Sequence, residues 1–126
     1  KCLSSNRDFN RLLCFVVICR QIEAVGHNYL GSFFASCDAL LAQGGVMVMQ
    51  AITTPENRYE EYIKSTDFIN TIIFPGSCCP SLNALLEAMA RNSELSLEGL
   101  DNICVHYART LQEWRHRFNH SLKQVN

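Results

Sequence analysis

The chain has 126 residues, enough for one domain or part of one, and 48% of them are hydrophobic against 18% charged. That balance belongs to a folded protein rather than a disordered one, and a formal net charge of −1 offers no basic face to nucleic acid. The longest apolar run, Leu12–Cys19, falls far short of the roughly 20 residues that span a bilayer.

Lys1 ahead of that run has the look of a secretory leader, but Arg7, Asp8, Asn10 and Arg11 interrupt it and no small-residue cleavage site follows. Seven cysteines is an odd number, with no CxxC pair and no zinc spacing. Most sit in apolar segments, where free cysteine behaves as a small hydrophobe. The pattern points to a reducing, cytoplasmic compartment, with peripheral membrane contact left open.

Residues 1–11 are polar and unpatterned. Leu12–Cys19 is short, continuous and partly β-branched, which predicts a strand buried on both faces. Tyr29, Leu30, Phe33, Phe34, Cys37, Leu40 and Leu41 then recur at helical spacing, predicting a helix over about 28–42 that Gly44-Gly45 stops. Val46–Ile52 reads as a second buried strand, so strand, helix and strand form a right-handed parallel crossover.

After a loop at Thr53–Asn57, a helix is expected from Arg58 to about Ile72, carrying Tyr59, Tyr62, Ile63 and Phe68. Phe74-Pro75-Gly76-Ser77-Cys78-Cys79-Pro80 breaks the chain. Ser81 or Pro80 opens a helix with the stripe Leu82, Leu85, Leu86 and Met89. Leu95–Val105 fits a further strand, diluted by Glu98, Asp101 and Asn102. A last helix carries Tyr107, Leu111, Trp114, Phe118 and Leu122 on one face. There is no internal repeat.

Ligands of open α/β sheets bind at the carboxyl ends of the strands. Glu23, just after the first strand, is therefore either a site residue or an acid in a helix's first turn. Gln50 and Ile52 close the second strand on the same edge, where a polar Gln either bonds into the cleft or simply ends the strand. Phe74 sits on a rigid turn, and Tyr107 heads the last helix's apolar stripe; packing is the ordinary fate of both. His116 and His120 share a helix face, but no third metal ligand is suggested. No Gly-x-Ser-x-Gly or phosphate loop is present.

Five segments in this order carry a resemblance: IEAVGHNYLGSFFASCDALL at 22–41, GGVMVMQAIT at 44–53, PENRYEEY at 55–62, DFINTIIFPGSCCPSL at 67–82 and NICVHYARTLQEWRHRF at 102–118. Together they resemble the cyclopropane-fatty-acyl-phospholipid synthases, particularly plant members and their bacterial and mycolic-acid relatives. The resemblance implies a partial α/β class I methyltransferase fold (Rossmann-like), lacking the first strands and the last. It implies S-adenosylmethionine as methyl donor and a cis double bond of a phospholipid acyl chain as acceptor. The resulting carbocation loses a proton to a bound bicarbonate and closes to a cyclopropane.

Carried over residue by residue, the resemblance makes Glu23 the bicarbonate-orienting acid and Tyr107 a second group facing that anion. Ile52 matches a position that holds the anion through its backbone, and Gln50 stands where many bacterial members have His. Phe74 matches an aromatic residue of the acyl tunnel, with Tyr59, Tyr62 and Phe68 as further candidates for its wall. Aromatic faces suit a cation developing away from water, and an apolar tunnel suits an acyl chain. No metal is implied.

The match departs from the family at its start. Residues 1–21 hold no cofactor loop, and Arg20-Gln21 replaces an acidic and an apolar residue. Residues 1–21 are thus expected to be an unmatched segment, even a translated intron, and 22–126 the carboxy-terminal part of a methyltransferase domain. On that reading the chain alone lacks a cofactor site. The alternatives are a catalytically inactive remnant and a small-molecule amine N-methyltransferase of the same superfamily.

Overall fold

The β-branched and aromatic run Leu13–Cys19 forms strand β1 in the computed structural model, which describes residues 13–125. Leu12 and the polar stretch 1–11 lie outside the described residues. The chain divides into two compact units, Lys1–Ser96 and Leu97–Asn126.

In the first unit, β1 leads through two short 3-10 turns, Ile22–Ala24 and His27–Tyr29, into helix α1 (Leu30–Leu40). Strand β2 (Leu41–Gln50) follows at once and pairs with β1 in parallel. The glycine pair does not stop the helix, as expected from sequence, but lies inside β2. The register jumps there, from Leu13 opposite Leu41 to Phe15 opposite Val46. Gly44 takes φ +72°, and a Cβ on Gly45 would lie 2.9 Å from the carbonyl oxygen of Ala42. Only glycine absorbs that irregularity without strain.

The sheet is buried on one face, not on both as expected. Ile18 and the half-buried Val16, Met47 and Met49 face the core, while Phe15, Val17, Val46 and Val48 are exposed. The alternation follows from the two-residue period of a strand. The core face is covered by α1 and α3 (Leu82–Asn92), which pack together over Ile22, Leu30, Phe34 and Leu85. Gly31 lets α3 come close: a Cβ there would sit 2.8 Å from the Asn92 amide nitrogen. Ser81 caps α3 by accepting from the Ala84 N–H at 3.1 Å, as its sequence position suggested.

The long helix expected over 58–72 is broken. Helix α2 spans Glu56–Tyr62, and a separate π-helical turn covers Ile69–Ile73. Asp67 and Asn70 explain the restart, since each side chain accepts the other's backbone N–H at 2.8 Å. This is the reciprocal arrangement that opens a new helical turn.

The strand expected over Leu95–Val105 is absent; residues 93–103 are irregular and helix α4 runs from Cys104 to Val125. Asn102 accepts from the Cys104 N–H at 2.9 Å and starts that helix, which overrides the weak apolar pattern before it. α4 belongs to the second unit and carries Tyr107, Leu111, Trp114, Phe118 and Leu122, all exposed. Among the described residues no helix is long and apolar enough to cross a membrane.

Candidate functional site

The carboxyl ends of β1 and β2 come together at Cys19 and Gln50, the last pair of the ladder. The Cys19 thiol donates to Gln50 Oε1 at 2.9 Å, leaving the Gln50 NH2 as the donor side of that amide. Arg20 then takes φ +51°, held by its N–H on the Gln50 carbonyl at 2.9 Å. A left-handed Arg costs about 1 kcal/mol or more, and the turn it makes delivers Ile22 to the core and Glu23 to the sheet's edge.

Ile22 is fully buried, so the backbone on which Glu23 rides is anchored from below. Glu23 Oε1 accepts the Ile52 N–H at 2.7 Å. Its other oxygen, Oε2, is buried with no hydrogen-bond partner among the described residues. The Glu23 main-chain carbonyl accepts the Cys78 N–H at 2.8 Å. A buried carboxylate oxygen without a donor is costly, and such a group calls for a partner such as water, an ion or a ligand.

The loop at 77–80 is fastened on two more sides. Thr54 donates its hydroxyl to the Cys79 carbonyl and its N–H to the Pro80 carbonyl, both at 3.0 Å. The Tyr62 hydroxyl accepts the Cys79 N–H at 3.1 Å. Tyr59, buried, places its hydroxyl 2.7 Å from His27 Nδ1 with the two rings edge to face.

Burial, reinforced by Cys78, pushes the Tyr59 phenol up to about 12. Burial also raises the Tyr62 phenol and the Cys78 and Cys79 thiols. At Cys79 the neighbouring Tyr62 hydroxyl and Arg20 oppose that rise, whereas Glu23 and Asp67 add to it. These groups are therefore neutral hydrogen-bonding partners near neutral pH rather than nucleophiles. Among the described residues no group of three or more His, Cys, Asp or Glu is set to hold a metal ion.

The mycolic acid cyclopropane synthetase family model matches residues 2–126. The chain belongs to this family.

Among its relatives, the tuberculostearic acid methyltransferase UfaA1 of Mycobacterium tuberculosis is 34% identical over 92% of this chain and 27% of its own length. Cyclopropane mycolic acid synthase 1 of the same organism is 30% identical over 79% of this chain and 37% of its own. The chain thus spans well under half the length of these curated relatives. The solved cyclopropane synthase MmaA2 from Mycobacterium tuberculosis superposes with a TM-score of 0.73 at 23% identity, covering 92% of this chain and 44% of that one. The fold is therefore part of the cyclopropane synthases' α/β methyltransferase fold. The family match takes in residues 2–21, which the sequence reading set apart, and β1 lies within that range.

Within this family fold the expected site residues separate into three groups. Glu23, Gln50 and Ile52 meet at the sheet's carboxyl edge, with the Ile52 N–H given to Glu23. Tyr59 and Tyr62 stand on α2 with their hydroxyls bonded inside the protein, whereas Phe68 and Phe74 flank the π-helical turn and are more than 60% exposed. Tyr107 is on α4 in the second unit, its ring edge-on to Trp114 at 6.1 Å.

Sequence reading overlooked His27, Thr54, Cys78 and Cys79. The cysteines read as small hydrophobes, and their part is played by backbone N–H and C=O groups, which leave no mark on side-chain type. Tyr59 and Tyr62 at i, i+3 were the available signal, since two phenols on one helix face need partners when buried.

Proposed function

We propose that this chain is part of an S-adenosylmethionine-dependent methyltransferase of the cyclopropane-fatty-acyl-phospholipid synthase type. Its substrate would be the cis double bond of a phospholipid acyl chain, reached by peripheral contact with a membrane. The observation that carries the reading is the half-satisfied carboxylate of Glu23 at the sheet's carboxyl edge.

A buried acceptor of this kind suits the O–H of a bicarbonate ion, which a carboxylate binds by a charge-assisted hydrogen bond. The NH2 of Gln50 would donate to the same anion from the neighbouring strand. Ile52 gives its N–H to Glu23 Oε1, so it would act by fixing the acid rather than by offering that N–H to the anion. Bicarbonate, when bound, would supply the base for the proton released on ring closure.

Adenosylmethionine supplies the electrophilic methyl group when bound. The described residues present no glycine-rich turn after β1 or β2 to cradle it. The chain's own contribution on this reading is anion orientation and an apolar surface. Phe68 and Phe74 are the acyl-facing aromatics, excluding water from the reacting carbons. The part of Tyr107 as a second catalytic group rests on the resemblance.

The reading is tested by supplying cis-unsaturated phospholipid vesicles, adenosylmethionine and bicarbonate to the intact protein that carries this chain. Mass spectrometry should find acyl chains heavier by one CH2 group, and far fewer with Glu23→Gln. Unchanged lipid, or methylation of a free amine instead, would overturn it.

A further inference from the structure

Three segments far apart in sequence meet around Glu23 in a closed circuit of hydrogen bonds. Starting from the Glu23 carboxylate, the circuit passes to the Ile52 N–H, then along two residues to Thr54. Thr54 bonds across to the Cys79 and Pro80 carbonyls. Cys78 N–H returns it to the Glu23 main-chain carbonyl. Glu23 is thereby held at both its backbone and its side chain.

Helix α2 braces this circuit from outside. Tyr59 and Tyr62, three residues apart, present their hydroxyls on one helix face. Tyr62 takes the one remaining backbone donor of the cysteine pair, the Cys79 N–H. Tyr59 bonds His27 Nδ1, with Cys78 near enough to act on its phenol, and His27 directly follows Gly26, whose φ is +79°. A buried aromatic needed only for volume would be served by Phe. Here the Tyr62 phenol holds Cys79, next in the chain to the Cys78 whose N–H bonds the Glu23 carbonyl, and the Tyr59 phenol holds His27 at the end of the turn that carries Glu23.

We infer that Tyr59 and Tyr62 are positioning residues, which hold the Cys78–Cys79 loop against Glu23 and so fix the carboxylate for its anion. This rests on the reading of Glu23 as the anion-orienting acid. The four aromatic candidates thus divide, with Phe68 and Phe74 left for the acyl chain.

The test follows the Ile52 amide proton by NMR across a pH titration of the chain, because that proton is bonded to Glu23 Oε1. Glu23→Gln should abolish the pH-dependent shift of the Ile52 amide and so assign it. Tyr59→Phe and Tyr62→Phe, checked as folded by circular dichroism, should each shrink that shift by about twofold or more as the carboxylate loosens. An unchanged Ile52 titration in both folded variants would overturn the inference. If either variant fails to fold, hydrogen exchange in the unsubstituted chain decides. The Ile52, Cys78 and Cys79 amides should open as one unit, with protection equal within about threefold, and a spread beyond about tenfold would overturn it. Neither readout depends on turnover. Absence of lipid product with an intact Ile52 response would count against the function alone.

Discussion

Two neighbouring stretches of the first unit are built on opposite plans. The loop at 77–80 buries Pro80 and is held by long-range hydrogen bonds, its backbone tied to Glu23, Thr54 and Tyr62. The turn at 68–74 exposes Phe68, Ile69, Ile72, Ile73 and Phe74, and its hydrogen bonds are local, running only between residues 67 and 77. Directional bonds fix a group in one place, whereas apolar contact tolerates sliding. An anion-orienting acid needs the first and a long acyl chain needs the second.

Substitutions should separate the two stretches by the size of their effect on stability. Ile22→Ala, directly beneath Glu23, should be the most damaging, lowering unfolding free energy by about 2–5 kcal/mol in a urea titration. Tyr62→Phe should cost less, about 1–3 kcal/mol, because it strands the Cys79 N–H. Phe74→Ser, on the apolar turn, should fall within about 0.5 kcal/mol of the unsubstituted chain. A Phe74→Ser loss as large as that of Tyr62→Phe would dissolve the contrast.

Alkaline titration sharpens it further. The Tyr59 phenol ordinarily ionises near 10.0 and is pushed up to about 12 in the folded chain. The folded state then binds a proton that the unfolded state has lost, so stability falls as pH rises from about 10 through about 12. Of the four tyrosines, Tyr59 should give its phenolate absorbance late, with Tyr62 also delayed by burial, and Tyr59→Phe should remove the Tyr59 step and part of the stability loss.

Thiol reactivity is the mildest probe. Cys14, Cys19 and Cys104 are exposed and should alkylate at neutral pH before the buried Cys37 and the half-buried Cys78 and Cys79. Burial raises the latter three thiols and thins their thiolate. Peptide mass mapping after brief iodoacetamide treatment reads the order. Cys78 or Cys79 reacting first would mean the loop is not held as described.

What was legible in the sequence follows the same division. β1 and α3 could be read because one is a short β-branched run and the other joins a Ser cap to a leucine stripe. The sequence expectation failed at 58–72 and at 95–105, where Asp67 with Asn70 and then Asn102 reset the chain through side-chain-to-backbone bonds. A hydrophobic period does not register those bonds. The place of Glu23 was readable from strand and turn alone. The burial of Tyr59 and the service of the Cys78–Cys79 backbone were not, because they depend on which segments meet in space. One-sided burial of the sheet escaped for a related reason: a continuous apolar run looks alike whether one face or both are covered.

The central claim is that Glu23 orients an anion needed for lipid methylation, and the bicarbonate dependence of product formation tests it most directly. With the intact protein, the rate should rise with added bicarbonate and saturate. Glu23→Gln should raise the bicarbonate needed for half the maximal rate by about tenfold or more. Identical bicarbonate curves for the two proteins would contradict the account.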